Sequence, residues 1–151
     1  GIVPPIVNVL KEKGITEPFE VQAEAIPELL LGNDICCRAP TGSGKTLAFG
    51  LPLLSRCEKA QPNYPTALIV TPTRELAEQI HSVLKPLAKS IDRTVIAIYG
   101  GTSYPKQRRE LDRGVDIVVA CPGRLIDLME RRLKLYRPTK PKIKIWSIQV
   151  L

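Results

Sequence analysis

The sequence predicts an α/β fold, a mostly parallel sheet with helices on both faces. Three observations predict it. Short runs rich in Ile and Val alternate with longer stretches of helical spacing, those runs are apolar throughout, and a glycine-rich turn separates the first run from the stretch that follows. Strands covered on both faces read as continuous apolar runs, whereas half-exposed strands alternate. Strand–helix–strand repetition with right-handed crossovers builds a parallel sheet.

In chain order, Pro4 and Pro5 suit the first turn of a helix running to about Lys13, where Gly14 ends it. Val21 to Leu31 is the second helix, with a break or kink expected at Pro27. Asp34 to Arg38 (D-I-C-C-R) is the first strand, and a helix follows Lys45, with Pro52 raising the same difficulty as Pro27. Glu58 to Pro65 is a polar, proline-bearing loop. The next strands are Ala67 to Thr71, Val95 to Tyr99 and Asp116 to Ala120. Between the first two of these, Leu76, Ile80, Val83, Leu84 and Leu87 recur at spacings of three and four, with Glu75, Glu78, Gln79 and Lys85 on the other face. Shorter helices are expected over Pro105 to Arg113 and Gly123 to Arg132, and Lys142 to Leu151 alternates like a strand.

The chain has 151 residues, enough for one domain. A domain of about 150 residues buries roughly two-thirds of its unfolded surface and needs no covalent staples. With 44% hydrophobic residues, wholesale disorder is excluded. No stretch reaches the ~18 uncharged apolar residues of a membrane span. The chain opens at Gly1 without a basic-then-apolar leader, so a secretion signal is not expected.

The net charge of +7 is local. Residues 131–151 carry seven basic residues and no acidic one, and the remaining fifteen basic residues are matched by fifteen acidic ones. The body of the domain is therefore neutral, and composition alone does not mark a polyanion partner. Cys36, Cys37, Cys57 and Cys121 lack C-x-x-C spacing, and His81 is the only histidine, so zinc is disfavoured. Cys36 and Cys37 are expected to be buried thiols on opposite faces of a strand, in a reducing compartment.

The strongest motif is Ala39 to Thr46, A-P-T-G-S-G-K-T, between a predicted strand and a predicted helix. That is the setting of a phosphate-binding loop. Thr41, Gly42, Ser43 and Gly44 would bring amide N–H groups to phosphate oxygens at a helix N-terminus. Lys45 would supply a cation to the terminal phosphates, and the Thr46 hydroxyl a hard ligand for Mg²⁺. The strict pattern opens on Gly, where this chain has Ala39.

Four further segments narrow the class. Gly14 to Gln22 (G-I-T-E-P-F-E-V-Q) precedes the loop, Pro72 to Ala77 (P-T-R-E-L-A) follows the second strand, Gly100-Gly101 the third, and Cys121 to Arg124 (C-P-G-R) the fourth. The last three lie at C-terminal ends of strands, where open parallel sheets bind ligands. In order and spacing, over residues 14–132, these segments with the phosphate loop resemble the first RecA-like domain of the DEAD-box RNA helicases. The resemblance implies a three-layer RecA-like P-loop NTPase fold, with residues 1–135 as an N-terminal ATP-binding domain and 136–151 as a basic tail or a strand segment.

The resemblance also implies roles. Gln22 would read the adenine edge, which a carboxamide's paired donor and acceptor suit. Pro72, Thr73, Arg74, Gly101, Cys121, Gly123 and Arg124 would grip RNA through its backbone, which positions a strand without reading its sequence. For Arg74 and Arg124, an internal ion pair to Glu75 or Asp127 is the competing reading. The family usually has Thr where this chain has Cys121, and a thiol is a weaker donor, so that grip would be looser. At 5% aromatic residues the chain has no stacking platform for bases.

The D-E-A-D carboxylates that hold Mg²⁺ and orient the attacking water in that family do not occur in these 151 residues, nor does its S-A-T motif. The expectation is a polypeptide that binds ATP but does not hydrolyse it efficiently. Either the sequence stops short of those motifs or the tail from about Tyr136 is not the family's own. Implied partners are ATP with Mg²⁺, single-stranded or short duplex RNA, and a second RecA-like domain, in the cytoplasm or, in a eukaryote, the nucleus. The alternatives are a non-catalytic nucleotide-dependent RNA-binding module, or a P-loop DNA helicase or ATPase.

Overall fold

The computed structural model describes residues 1–131 and 144–147. They form six helices and four strands: α1 (Pro4–Glu12), α2 (Glu20–Leu31), α3 (Lys45–Arg56), β1 (Ala67–Val70), α4 (Arg74–Lys89), β2 (Val95–Ile98), α5 (Tyr104–Arg113), β3 (Ile117–Ala120), α6 (Pro122–Arg131) and β4 (Lys144–Ser147). The chain divides into two compact units, Gly1–Arg56 with Pro86–Asp92, and Cys57–Lys85 with Arg93–Leu151.

In the first unit α2 and α3 pack together. They run side by side in the same direction, because each end is tied by a hydrogen bond. At the starts, Gln22 Nε2 donates to the Gly44 carbonyl at 3.1 Å. At the far ends, Arg56 Nη1 donates to the carbonyls of Leu29 and Leu30 at 3.0 and 3.2 Å, satisfying acceptors that a helix C-terminus leaves open. Gly32, at φ +94°, closes α2 in the left-handed conformation.

The break expected at Pro27 does not occur, and α2 is continuous from Glu20 to Leu31. Pro27 and Ala23, whose carbonyl loses its helical donor, are both exposed, so water can take that acceptor. Helix α3 likewise runs through Pro52, inside a stretch where Ala48, Gly50, Leu51, Pro52, Leu53 and Leu54 are all buried. Apolar burial there outweighs the missing rung.

The second unit holds a parallel sheet in the order β2-β3-β1-β4. Its core is Leu68, Ile98, Val118 and Ala120 from the strands, closed by Leu111, Val115, Leu125 and Leu128. β3 is buried at every residue, as its continuous apolar run predicts. Asp116, 1% exposed, stands just before it. Its carboxylate accepts from Ala60 N at 2.5 Å, Thr94 N at 2.8 Å and Thr94 Oγ1 at 3.1 Å, pinning the entries to β2 and β3 and the preceding loop.

The expected first strand is not formed. Asp34–Arg38 pairs with no strand among the described residues, and all five residues are exposed. Cys36 and Cys37 are therefore exposed thiols, not buried ones. An apolar run becomes a covered strand only where a neighbour supplies hydrogen bonds, and the four paired strands come from other segments. The alternating tail does form a strand at Lys144–Ser147, beside β1. The rest of the tail expected from residue 136 onward, and Arg132 at the end of the last expected helix, lie outside the described residues.

Candidate functional site

In the first unit the sequence-predicted residues gather around the start of α3. Gly42 and Gly44 have φ of +80° and +82°, which turns the chain into the helix without side-chain strain. Gly44 is also closely approached: a Cβ there would collide with Gln22 Nε2 and come within 2.7 Å of Phe19 Cδ2. Thr41 and Gly42 are exposed, while Ser43, Gly44, Lys45 and Thr46 are half-buried. Ser43 Oγ donates to the Pro40 carbonyl at 2.6 Å and holds the turn.

Lys45 folds back along the loop, its ammonium donating to the carbonyl of Ala39 and, at 3.2 Å, to that of Pro40. Those carbonyls keep a cation at the mouth of the helix. The N-terminus of α2 is fastened to the same place by the Gln22–Gly44 bond. Two helix N-termini and a lysine thus share one locality, an arrangement that favours a polyanion.

Gln22 is 4% exposed, and both ends of its carboxamide have protein partners. Oε1 accepts from the Phe19 N–H at 3.0 Å, half of a capping box at the start of α2, while Nε2 holds Gly44. One N–H and one lone pair remain for a ligand. No group of three or more His, Cys, Asp or Glu side chains that could hold a metal is present among the described residues.

In the second unit the other three segments converge, because β1, β2 and β3 are parallel and adjacent and each is followed by one of them. Pro72, Thr73, Arg74, Gly101 and Gly123 are exposed, and Cys121 and Arg124 half-buried. Thr73 Oγ1 accepts from Leu76 N at 3.3 Å, capping α4. Thr71 Oγ1 donates to the Thr73 carbonyl at 3.0 Å and lies 3.8 Å from Cys121 Sγ, linking the first of these turns to the third.

Arg74 stacks over the Tyr99 ring at 5.1 Å, with its Nη1 3.7 Å from where a Gly101 Cβ would be. The Tyr99 hydroxyl donates to Glu78, and this hydrogen bond raises the phenol above its usual pKa. Arg124 donates through Nη1 to the Thr102 carbonyl at 3.2 Å and to Gln107 Oε1 at 3.0 Å, and lies over the Tyr104 ring at 5.6 Å. Among the described residues the groups touching Arg124 are thus neutral or aromatic, while the Tyr99 ring under Arg74 is itself hydrogen-bonded to the Glu78 carboxylate. His81, by contrast, is used inside the unit, its Nε2 3.2 Å from the Val95 carbonyl.

Sequence reasoning passed over Tyr99, Tyr104 and Gln107. Gln107 could have been found from its spacing, since it shares with Leu111 the one buried face of an otherwise charged helix.

A family model described as DEAD/DEAH box helicase matches residues 19–141. The pre-mRNA-processing ATP-dependent RNA helicase prp-5 of Neurospora crassa is 44% identical over 133 residues, which cover 85% of this chain and 11% of that protein. The RNA helicase CrhR of Synechocystis is 45% identical over 142 residues, covering 94% of this chain and 27% of that one. Among solved structures, the RNA helicase Prp28 of Chaetomium thermophilum bound to ADP superposes with a TM-score of 0.81 at 42% identity, covering 90% of this chain and 34% of that one. The chain belongs to the DEAD/DEAH box helicase family and has its RecA-like α/β fold. It spans between about a tenth and a third of the length of these relatives.

Proposed function

We propose that this chain is the ATP-binding RecA-like part of a DEAD-box ATP-dependent RNA helicase. The observation that carries the reading is the cationic mouth at Gly44, where α2 and α3 begin together and Lys45 rests on loop carbonyls. An entering triphosphate would draw the Lys45 ammonium onto its own oxygens, since a phosphate outbids a neutral carbonyl for a cation. The loop amides of residues 41–44 would hold the phosphates, and Gln22's remaining donor and acceptor would meet adenine. The residues fit Mg²⁺ only in part: Thr46 offers one hard oxygen, and the bound phosphates would have to supply others. That ion would neutralise charge on the phosphates during transfer.

The three turns beyond β1, β2 and β3 would hold RNA by its backbone, with Arg74 and Arg124 as phosphate partners. A second RecA-like domain would close on the same nucleotide and RNA, coupling the two affinities. The 151 residues alone would bind ATP without efficient turnover, since they contain no D-E-A-D carboxylates. The place of action would be the cytoplasm, or the nucleus in a eukaryote.

The test is a nucleotide titration of the Lys45→Ala variant. A hydrogen bond to a charged group is worth about 1.5–3 kcal/mol, so ATP affinity should fall at least about tenfold. Unchanged affinity removes Lys45 from the site. In the full-length protein, ATPase activity should rise with added single-stranded RNA and not with DNA of the same length, and stimulation by DNA alone would refute the RNA reading.

A further inference from the structure

Helix α5 buries one polar side chain, Gln107, which is 5% exposed beside Leu111. Its carboxamide is used at both ends. Nε2 donates to Thr102 Oγ1 and, at 3.4 Å, to the Tyr99 carbonyl. Thr102 spends its own hydroxyl proton on that carbonyl at 2.8 Å, so its oxygen is free to accept from Gln107. Oε1 accepts from Arg124 Nη1 at 3.0 Å, and the same nitrogen also reaches the Thr102 carbonyl. One buried amide therefore fastens the turn after β2 to the first turn of α6.

The choice of an amide has a chemical consequence. A carboxamide oxygen orients a guanidinium without cancelling its charge, whereas a carboxylate at the same place would make an ion pair. Arg124 is half-buried and turned over Tyr104, whose ring also lies 5.1 Å from Arg131. Its other N–H donors remain for a ligand, and its positive charge remains intact.

We propose that Gln107 is a positioning residue for RNA binding: it aims Arg124 at the edge formed by the ends of β1–β3 and leaves its charge unpaired. This rests on the reading of that edge as the RNA backbone grip, and it predicts that nucleotide binding does not depend on Gln107.

The experiment measures binding of a fluorescent oligouridylate to the full-length protein with a non-hydrolysable ATP analogue, across a salt series. Arg124→Ala should weaken binding about tenfold. Gln107→Leu should weaken it about fivefold with ATP affinity in the absence of RNA unchanged, and adding it to Arg124→Ala should cost less than about twofold more. Gln107→Glu, nearly identical in shape, should also weaken binding about fivefold and should reduce the salt slope by about 0.7, the loss of one phosphate contact on a single strand. If Gln107→Leu does not fold, Gln107→Glu carries the test, because packing alone would leave its salt slope untouched. Wild-type affinity and slope in Gln107→Glu, or full additivity in the double variant, would overturn the role of Gln107 alone. Wild-type RNA affinity in Arg124→Ala would overturn the grip at this edge and Gln107's role with it.

Discussion

Gln22 Nε2 donates to the main-chain carbonyl of Gly44 at 3.1 Å, joining residues 22 apart in the chain. The bond makes the residue proposed to meet the base a structural member of the loop proposed to hold the phosphates. The same carboxamide caps the N-terminus of α2 through Phe19 N. On the proposed reading, base recognition and loop shape would be coupled in one buried side chain.

Gln22→Ala removes both bonds at once. A lost cap costs about 1 kcal/mol, and the Gly44 carbonyl, left with only the Ala48 N–H at 3.1 Å, no longer ties the loop to α2. The expected outcome is at least a tenfold loss of ATP affinity with a small loss of stability, read by titration and thermal melting. A comparable loss of ADP affinity would accompany it, because the loop serves every phosphate. Retained affinity for both nucleotides would show that the coupling does not matter.

Gly42→Ala and Gly44→Ala separate backbone strain from collision. Both positions have positive φ, which costs a residue with a Cβ about 1–2 kcal/mol. At Gly42 nothing lies within 4 Å of the added carbon, whereas at Gly44 it strikes Gln22 and Phe19. Nucleotide titration should show Gly44→Ala the more damaging by at least tenfold. Equal losses would mean that strain alone sets the effect.

Asp116→Ala strips a buried acceptor from Ala60 N, Thr94 N and Thr94 Oγ1. The donors are only part-buried, Thr94 being exposed and Ala60 half-buried, so the loss is that of the hydrogen bonds themselves, about 1 kcal/mol each and about 3 kcal/mol together. At 2–4 °C per kcal/mol, the melting temperature should drop by about 9 °C. Nucleotide affinity measured well below the melting temperature should be unchanged. A drop under about 2 °C would remove Asp116 from the load on this sheet.

The thiols should sort by burial. Desolvation raises Cys57 above the ordinary thiol value of 9.0, and the reactive form is the thiolate. Alkylation at pH 8 should therefore modify the exposed Cys36 and Cys37 well before Cys57, as peptide mapping of a time course would show. The sign for stability follows from the same shift. A group whose folded pKa is raised contributes fully below its unfolded value, and that contribution is lost as pH rises from about 9 through the folded pKa. Denaturant melts between pH 8 and 11 should fall more steeply for the wild type than for Cys57→Ala. Parallel curves would contradict the shift.

What could be read along the chain was chemistry carried by neighbours in the chain. The glycine-rich loop, the glutamine before it and the three turns after β1, β2 and β3 are contiguous strings, and the roles proposed for them rest on their residue types. Helix α4 was equally legible, because a period of three and four over sixteen residues has one good solution. Other features depended on partners brought from a distance. The pins on Asp116 come from residues 22 and 56 positions away, and Gln107 finds Arg124 seventeen residues further on. The segment Asp34–Arg38 has the composition of a strand but no neighbour among the described strands, and its cysteines lie exposed. Composition records what a segment could bury or bond, and only the folded chain decides which hydrogen-bonding edge or donor stands opposite it.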